Sequence, residues 1–273
     1  MKKIKVCVAG LSPKTDEGKM AKLIAEAIAS QEDMELCPYG LSEGVGTVFI
    51  ESEGPIQLVP IEEHASFLKA RRGDIDLIVD FTVPRSVNLN SETYREAEIP
   101  FVMGTTGGDR QRLVEIVQMS TISAVIATNF AVPVVMFQEM IRFAAKTFPN
   151  SLNGFTLLIR ESHQASKSDP SGTAVSLLDA FKEVGMPLKK EQIIMVRDPV
   201  VQEEEMGIPK QYLGGHGYHT YTFLSADGTV KLQFIHNVLG RSVYVDGALK
   251  AIRFLHLQHA EGKVFSMIDV LRG

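Results

Sequence analysis

A polar loop in the middle of this 273-residue chain holds the residues best suited to acid–base chemistry. It contains His163, which can exchange a proton near neutral pH, and Lys167, which carries a full positive charge. Ser171, Gly172 and Thr173 follow at the start of a predicted helix, where hydroxyls and backbone N–H groups can bind a carboxylate. The loop therefore predicts a site that binds a small anion and transfers a proton. In the alternative, Asp169 or Ser171 only caps the helix and His163 is solvated, which leaves His163 and Lys167 together unexplained.

A second group of candidate residues follows the predicted strands of the N-terminal half. Gly10 ends the first strand and Gly18 opens the first helix, whose N–H groups can bind a pyrophosphate. The usual G-x-G-x-x-G spacing is absent, because the seven residues 11–17 separate the two glycines. The alternative is that the two glycines only form a tight turn, and that the loops after the later strands are ordinary connections without a ligand. The candidate cofactor-binding residues are Gly10, Gly18, Lys19, Met20, Phe81, Thr82, Gly104, Thr105, Thr106, Asn129 and Phe130.

The second strand is predicted to end at Cys37-Pro38-Tyr39-Gly40, without the acidic residue that usually binds the ribose hydroxyls of NAD. Together with Lys19, this absence predicts NADPH as the preferred cofactor, with NADH as the alternative.

Short apolar strands that alternate with helical patterns must position these loops. They predict a Rossmann-like α/β domain with a doubly wound parallel sheet over about the first 130 residues. After Phe130, strands follow one another without helices, and Asp227-Gly228 predicts a hairpin. The second domain is therefore expected to be α+β, with a mostly antiparallel sheet. The predicted strands include 4–9, 34–38, 76–81, 99–103, 124–127, 155–159, 218–224 and 230–235, and the helices 19–30, 86–97, 109–120, 134–147, 173–184 and 242–257.

The composition is that of an ordinary globular protein, with 45% hydrophobic and 22% charged residues. A net charge of -5 argues against a nucleic-acid-binding protein, and no apolar run is long enough to cross a membrane. Cys7 and Cys37 lie in apolar runs and are predicted to be buried in a reduced compartment, so we expect a cytoplasmic protein.

His216 and His219 could bind zinc together with His163 or His236. A three-residue spacing within a strand places two side chains on opposite faces, however, and we predict no metal site.

Several short motifs occur in a fixed order along the chain: Gly18-Lys19-Met20, Asp80-Phe81-Thr82, Gly104-Thr105-Thr106-Gly107, Asn129-Phe130 and the segment from Glu161 to Thr173. Through these motifs the chain resembles the 4-hydroxy-tetrahydrodipicolinate reductase (dihydrodipicolinate reductase) family over nearly its whole length. Residues 215–221 and 236–242 resemble the plant-type branch of that family.

This resemblance implies hydride transfer from NAD(P)H to a cyclic dicarboxylate, with loss of water, giving tetrahydrodipicolinate in diaminopimelate and lysine biosynthesis. It implies that His163 donates a proton and that Lys167 binds the substrate, and it leaves open which of the two is the main proton donor. Gln164 stands where many family members have a second histidine. The remaining implied substrate-binding residues are Ser171, Gly172, Thr173 and Thr106.

The resemblance also implies a C-terminal helix that returns to the nucleotide domain. The predicted domains are thus 1–130 with 241–273, which bind the dinucleotide, and 131–240, which bind the substrate and mediate oligomerisation. A homodimer or homotetramer is expected, with neither nucleic acid nor membrane as a partner.

Two other functions fit parts of the sequence. Another two-domain NAD(P)-dependent dehydrogenase, acting on an aldehyde or sugar, commonly needs a cysteine nucleophile or a lysine in a different loop, and no cysteine follows Cys37. A non-catalytic NAD(P)-binding sensor would not need His163 and Lys167 beside the Ser-Gly-Thr helix start.

Overall fold

A computed structural model describes residues 2–14 and 17–273 of the chain. Part of the predicted loop 11–17, namely Thr15 and Asp16, lies outside the described residues. The chain forms two compact units, the first comprising Met1–Ala131 with Tyr244–Gly273 and the second Val132–Val243. None of the helices in the described ranges has both the length and the apolar character needed to span a membrane.

The strands and helices are numbered in chain order. The strands are β1 (Ile4–Ala9), β2 (Met34–Leu41), β3 (Gly46–Ile50), β4 (Gly54–Val59), β5 (Leu77–Asp80), β6 (Phe101–Met103), β7 (Ala124–Ile126), β8 (Thr156–Ser162), β9 (Ile194–Val196), β10 (His216–Leu224), β11 (Lys231–Leu239) and β12 (Val264–Phe265). The α-helices are α1 (Lys19–Ala29), α2 (His64–Ala70), α3 (Val87–Ala97), α4 (Arg110–Gln118), α5 (Val132–Thr147), α6 (Gly172–Val175), α7 (Leu178–Glu183), α8 (Val243–His256) and α9 (Met267–Arg272).

The first unit is built on a sheet in the order β12-β7-β6-β5-β1-β2-β4-β3. Strand β3 pairs antiparallel with β4, whereas the pairs β1–β2, β1–β5, β2–β4, β5–β6, β6–β7 and β7–β12 are parallel. The predicted doubly wound α/β fold is therefore confirmed. Both cysteines, Cys7 and Cys37, are buried and unpaired. Helix α8 packs closely at Gly247, where an added Cβ would lie 2.0 Å from the carbonyl oxygen of Phe130, so only glycine fits.

The predicted end of the second strand is wrong. Strand β2 passes Pro38 because its pairing with β1 shifts between Val6 and Val8, and this irregularity accommodates a residue that has no N–H to donate. The strand therefore continues to Leu41, and an acidic residue, Glu43, follows two positions later.

The second unit contains a four-stranded sheet in the order β11-β10-β8-β9, antiparallel except for the β8–β9 pair. The mostly antiparallel sheet and its hairpin are thus confirmed. The predicted helix 173–184 is wrong, since it is divided into α6 and α7. The break lies at Ser176, whose hydroxyl donates to the Thr173 carbonyl at 2.9 Å and accepts from Gln138 Nε2 at 2.7 Å. Such side-chain bonds compete with continuation of a helix.

Aromatic rings stack on the buried face of this second sheet. The ring centroids of His219 and His236 lie 4.5 Å apart, and the ring of His219 is nearly parallel to that of Tyr221, at an interplanar angle of 9°. Burial, together with the positive charge of nearby His163, lowers the pKa of His236 to about 4. Burial also holds the pKa of His219 well below its usual value.

These shifts predict an acid-sensitive second unit. In the unfolded chain, His236 has its ordinary pKa of 6.5 and becomes protonated below that pH. In the folded protein it stays neutral down to about pH 4. The contribution of neutral His236 to stability is therefore fully present above pH 6.5 and is lost as the pH drops through this window. His236→Phe should keep the ring stack and reduce the pH dependence of urea unfolding over that range, leaving the contribution of His219. An unchanged dependence would show that His236 is not responsible.

Candidate active site

The first unit contains a cavity of about 600 Å³ at the ends of β1, β2 and β5. Its size is typical of small-molecule sites, and its position beyond the carboxyl ends of parallel strands is where such folds bind ligands. Its lining residues include Gly10, Leu11, Ser12, Lys14, Gly18, Ser42, Glu43, Gly44, His64, Phe81, Thr82, Arg85 and Asn90.

The turn between β1 and α1 requires its two predicted glycines. Gly10 has φ 100° and Gly18 has φ 61°, in the left-handed region that favours glycine. An added Cβ would lie 2.3 Å from the Phe81 carbonyl oxygen at Gly10, and 2.7 Å from the Gly10 carbonyl oxygen at Gly18. Gly18 is the N-cap of α1 and provides no side-chain cap, which leaves first-turn N–H groups for an anion.

A buried carboxylate fixes the loops that follow β5 and β6. Asp80 has no exposed surface, and its Oδ1 accepts hydrogen bonds from the hydroxyls of Thr82 and Thr105, both at 2.7 Å. Its Oδ2 accepts from Asn90 Nδ2 at 2.9 Å and from the Tyr94 hydroxyl at 2.8 Å. These hydrogen bonds therefore fix the loops at the carboxyl ends of β5 and β6.

The structure places only part of the predicted cofactor set around the cavity. Gly10, Gly18, Phe81 and Thr82 line it. Lys19, Met20, Gly104, Thr105, Thr106, Asn129 and Phe130 are not among the described residues that do.

Several of these seven residues have contacts that shape the neighbouring loops. An added Cβ at Gly104 would lie 2.3 Å from the ring of Phe81, which makes the glycine necessary for that ring. Asn129 accepts from the backbone N–H of Ala131 at 2.8 Å, and buried Phe130 packs its ring 5.5 Å from Phe81.

Charged residues that sequence reasoning missed also line the cavity. Arg85 Nη2 lies 2.5 Å from a carboxylate oxygen of Glu43, and the Lys14 ammonium lies 2.9 Å from Glu17. Glu43 lies beyond the predicted end of the second strand, so it was not among the predicted site residues. Arg85 follows Pro84 in a short 3₁₀ turn after β5 and has no local sequence signal.

In the second unit, Glu161 and His163 form a hydrogen-bonded pair where β8 ends. Residues two apart on an extended strand share a face, so Glu161 Oε2 meets His163 Nδ1. Glu161 is fully buried, and burial by itself raises the pKa of its carboxyl. The hydrogen bonds from His163 and Arg197 outweigh burial and leave the pKa below its ordinary value.

The ionised state of Glu161 determines how the His163 ring is used. A carboxylate only accepts hydrogen bonds, so Nδ1 of His163 must carry a proton, and Nε2 is the nitrogen that can exchange one. An added Cβ at Gly217 would lie 3.2 Å from that Nε2, so glycine leaves space beside it.

The same loop carries the predicted anion-binding residues. Lys167 and Gln164 are part-buried, and no ion pair of the Lys167 ammonium occurs among residues 2–14 and 17–273. The buried Ser171 is the N-cap of α6, and its hydroxyl accepts from the N–H of Thr173 at 3.2 Å. Gly172 has open space on its Cβ side, which exposes the backbone there.

His219 lies beside this pair, with a ring centroid 5.1 Å from that of His163. Neither ring nitrogen has a hydrogen-bond partner in the described part of the chain. Ligand atoms of Glu161, His163 and His219 lie within 4.8 Å of one another, a spacing that could hold a metal ion. The Glu161 carboxylate is paired with Arg197 and His163 in this structure. That the protein has no metal site stays a prediction.

Sequence reasoning identified His163 but missed its partners. The two-residue spacing of Glu161 and His163 points to a shared face only if the strand continues past residue 159, as β8 does. Arg197 has no such signal, since it follows the three-residue strand β9, which the sequence did not predict.

Comparison with known proteins gives matches along both halves of the chain. The family model "Dihydrodipicolinate reductase, N-terminus" matches residues 4–130, and "Dihydrodipicolinate reductase, C-terminus" matches residues 133–271.

Plant proteins are among the similar relatives. The 4-hydroxy-tetrahydrodipicolinate reductase 1, chloroplastic, of Arabidopsis thaliana is 43% identical over 199 residues, which are 72% of this chain and 57% of that protein. This chain thus spans little more than half of that relative. A probable 4-hydroxy-tetrahydrodipicolinate reductase 1, chloroplastic, of Oryza sativa subsp. japonica is 38% identical over 268 residues, covering 93% of this chain and 76% of that protein.

A solved structure supports the fold. The dipicolinate-bound dihydrodipicolinate reductase from Paenisporosarcina sp. TG-14 has a TM-score of 0.65 at 20% identity, covering 97% of this chain and 98% of that one. The family resemblance seen in the sequence is confirmed. Family models match both halves of the chain, and the Oryza sativa relative is 38% identical over 93% of this chain. The chain therefore belongs to the dihydrodipicolinate reductase family.

Proposed function

We propose that this protein reduces 4-hydroxy-tetrahydrodipicolinate to tetrahydrodipicolinate with NAD(P)H and loss of water, in diaminopimelate and lysine biosynthesis. Family membership supports the reaction class. The observation that carries the proposal for this chain is the hydrogen-bonded Glu161–His163 pair on the loop that also holds Lys167 and the Ser171–Thr173 turn.

The first unit is proposed to bind the cofactor. The cavity fits a dinucleotide in three respects: the Gly10–Gly18 turn, the uncapped start of α1, and Gly44, whose Cβ side is open. When bound, the nicotinamide supplies the hydride. The proposed contacts are Gly10, Gly18, Lys19, Met20, Phe81, Thr82, Gly104, Thr105, Thr106, Asn129 and Phe130, of which Gly10, Gly18, Phe81 and Thr82 have the support of lining the cavity.

The second unit is proposed to bind the dicarboxylate and supply the proton. Lys167 and the backbone at Gly172 attract a carboxylate, and Gln164 donates a hydrogen bond without a charge. His163 delivers the proton from Nε2, while its Nδ1–H stays hydrogen-bonded to Glu161, so the ring returns to a defined neutral tautomer. His219 stays neutral because burial lowers its pKa, and it therefore places no second positive charge against the imidazolium of His163.

Self-association is proposed for the second unit. The sheet exposes apolar side chains on the face opposite its core, among them Leu158, Ile194 and Ile235, which are 49%, 49% and 60% exposed. A second copy of the chain covering this face would remove them from water. The expected assembly is a homodimer or homotetramer.

A turnover assay tests the proposed function directly. Absorbance of the reduced nicotinamide should fall only when freshly made 4-hydroxy-tetrahydrodipicolinate is added. Oxidation with an aldehyde or sugar instead would indicate another dehydrogenase. Cofactor binding without any turnover would indicate a sensor, and either result contradicts the proposal.

Substitution of the two loop residues should separate their roles. His163→Ala should lower kcat about 100-fold or more with little change in KM, because it removes the proton donor. Lys167→Ala should lower kcat and also raise KM, because it removes a charge that holds the dianion. His256→Ala, on the exposed end of α8, is the control and should behave as wild type. A His163→Ala enzyme with near-normal kcat at every pH would reject the acid role.

NADPH is proposed as the preferred cofactor on the basis of Arg85 and Lys14, which line the cavity. The predicted strand end without an acidic residue no longer supports this preference, because β2 continues to Leu41 and Glu43 follows it. A 2′-phosphate would compete with Glu43 for the Arg85 guanidinium. Arg85→Ala should therefore lower kcat/KM for NADPH about 10-fold, the value of one charge-assisted hydrogen bond, and that for NADH much less. Glu43→Gln should shift the ratio toward NADPH. Equal loss with both cofactors, or a wild-type preference for NADH, would contradict this assignment.

A further inference from the structure

A segment outside the predicted site clamps the loop that carries His163 and Lys167. Arg197 follows β9 directly, and Gln202 lies in the π-helical turn Val201–Glu205 just beyond it. Neither residue belongs to the motifs that indicated the family. Both are well buried: the side chain of Arg197 is 18% exposed, and Gln202 is 1% exposed.

Every N–H group of the Arg197 guanidinium has an acceptor. Nη2 lies 2.5 Å from Glu161 Oε1 and Nη1 lies 3.3 Å from Oε2, a two-pronged pairing with the carboxylate. Nε donates to the Lys167 carbonyl at 2.7 Å, and the remaining bonds go to the carbonyls of Asp169 at 3.3 Å and Val196 at 3.0 Å. Five donors in a rigid plane match five acceptors, a pattern that lysine cannot reproduce.

This arrangement links two functional groups through one side chain. Glu161 shares its charge between the guanidinium and the Nδ1–H of His163, so the position of Arg197 sets the position of the imidazole. The bond to the Lys167 carbonyl fixes the backbone from which the ammonium extends. A second anchor comes from Gln202, whose Nε2 donates to the His163 carbonyl at 2.7 Å and to the Val196 carbonyl at 3.1 Å.

We propose that Arg197 is a positioning residue for the reaction, assisted by Gln202: it neutralises buried Glu161, aligns His163 through that carboxylate, and fixes the backbone of Lys167. The inference rests on the proposed function. Arg197 touches neither reacting group's side chain directly, so its effect is expected in the turnover step and not in cofactor binding.

An ordinary structural ion pair would give different results. Removing it would lower stability, and any loss of activity would follow the loss of folded protein. A positioning role instead lowers kcat of the folded enzyme, and the deficit can be repaired by a group that reproduces the planar fork.

The test compares Arg197→Ala, Arg197→Lys and wild type at a temperature where all three are folded. Arg197→Ala should lower kcat about 100-fold, the cost of a slightly misplaced catalytic group, and leave cofactor affinity unchanged. Added guanidinium chloride at low concentration should restore part of kcat, whereas sodium chloride of equal ionic strength should not. Arg197→Lys should stay defective, because an ammonium has three donors and no planar fork.

Arg160→Ala is the matched control. It removes another Arg–Glu pair of the same unit, the 3.3 Å contact with Glu205, in which the side chains are 41% and 63% exposed. It should turn over as wild type and show no guanidinium effect. Folded Arg197→Ala with kcat within about twofold of wild type, or a deficit that guanidinium leaves unchanged, overturns the inference.

Two further measurements keep the result decisive. If Arg197→Ala does not fold, Gln202→Ala replaces it, with the same expected loss of kcat at unchanged cofactor affinity. If the wild-type protein itself does not turn over, the proposed function fails. Amide hydrogen exchange then tests whether Arg197 holds the loop in position. Faster exchange over residues 163–169 in Arg197→Lys, and not in Arg160→Ala, supports it; equal exchange overturns it.

Discussion

A fully buried carboxylate, Glu161, is the constraint on which the candidate catalytic loop depends. An ionised carboxyl without exposed surface is unfavourable unless charged or polar partners replace its water. Here a guanidinium and an imidazole do so, and the hydrogen bonds they donate keep the pKa of Glu161 below its ordinary value. The pairing of this one charge thereby determines where His163 lies. It also keeps a proton on Nδ1, so that Nε2 is the nitrogen that can exchange one.

The first unit also fixes its loops around a buried carboxylate, at the carboxyl ends of its parallel strands. Asp80 is as buried as Glu161, and the groups that satisfy it come from the loops after β5 and β6 and from α3. The edge that borders the cavity is thus held by neutral donors around one carboxylate. In both units, polar residues at the end of a buried strand shape the loops that are proposed to bind ligands.

The sequence predicts the fold because its strands are short apolar runs and its helices are amphipathic, features that depend on neighbours along the chain. It fails where distant residues decide the local structure. Pro38 suggests that a strand ends, yet the irregular pairing with β1 carries β2 on to Leu41. The polar residues Arg160, Glu161 and Ser162 suggest a loop, yet β10 and β9 pair with them and Arg197 compensates the buried charge.

The candidate site shows the same division. His163 and Lys167 could be identified because they stand together in one segment with a Ser-Gly-Thr turn. The sequence predicts that Thr105 and Gly104 contact a cofactor, but it does not reveal that the hydroxyl of Thr105 is bonded to Asp80 or that Gly104 makes room for the Phe81 ring. Arg85 and Arg197 could not be found, because an arginine's function depends on the carboxylate it meets, and those carboxylates are 42 and 36 positions away.

The tautomer of His163 is the most direct test of this account. Long-range proton–nitrogen NMR correlations of the wild-type protein, labelled with nitrogen isotope in histidine, report which ring nitrogen carries hydrogen in the neutral form. The account predicts that Nδ1 is protonated and Nε2 is bare, and that Glu161→Gln disturbs this state. A neutral His163 protonated on Nε2, or a ring whose signals ignore the loss of the Glu161 charge, would contradict it.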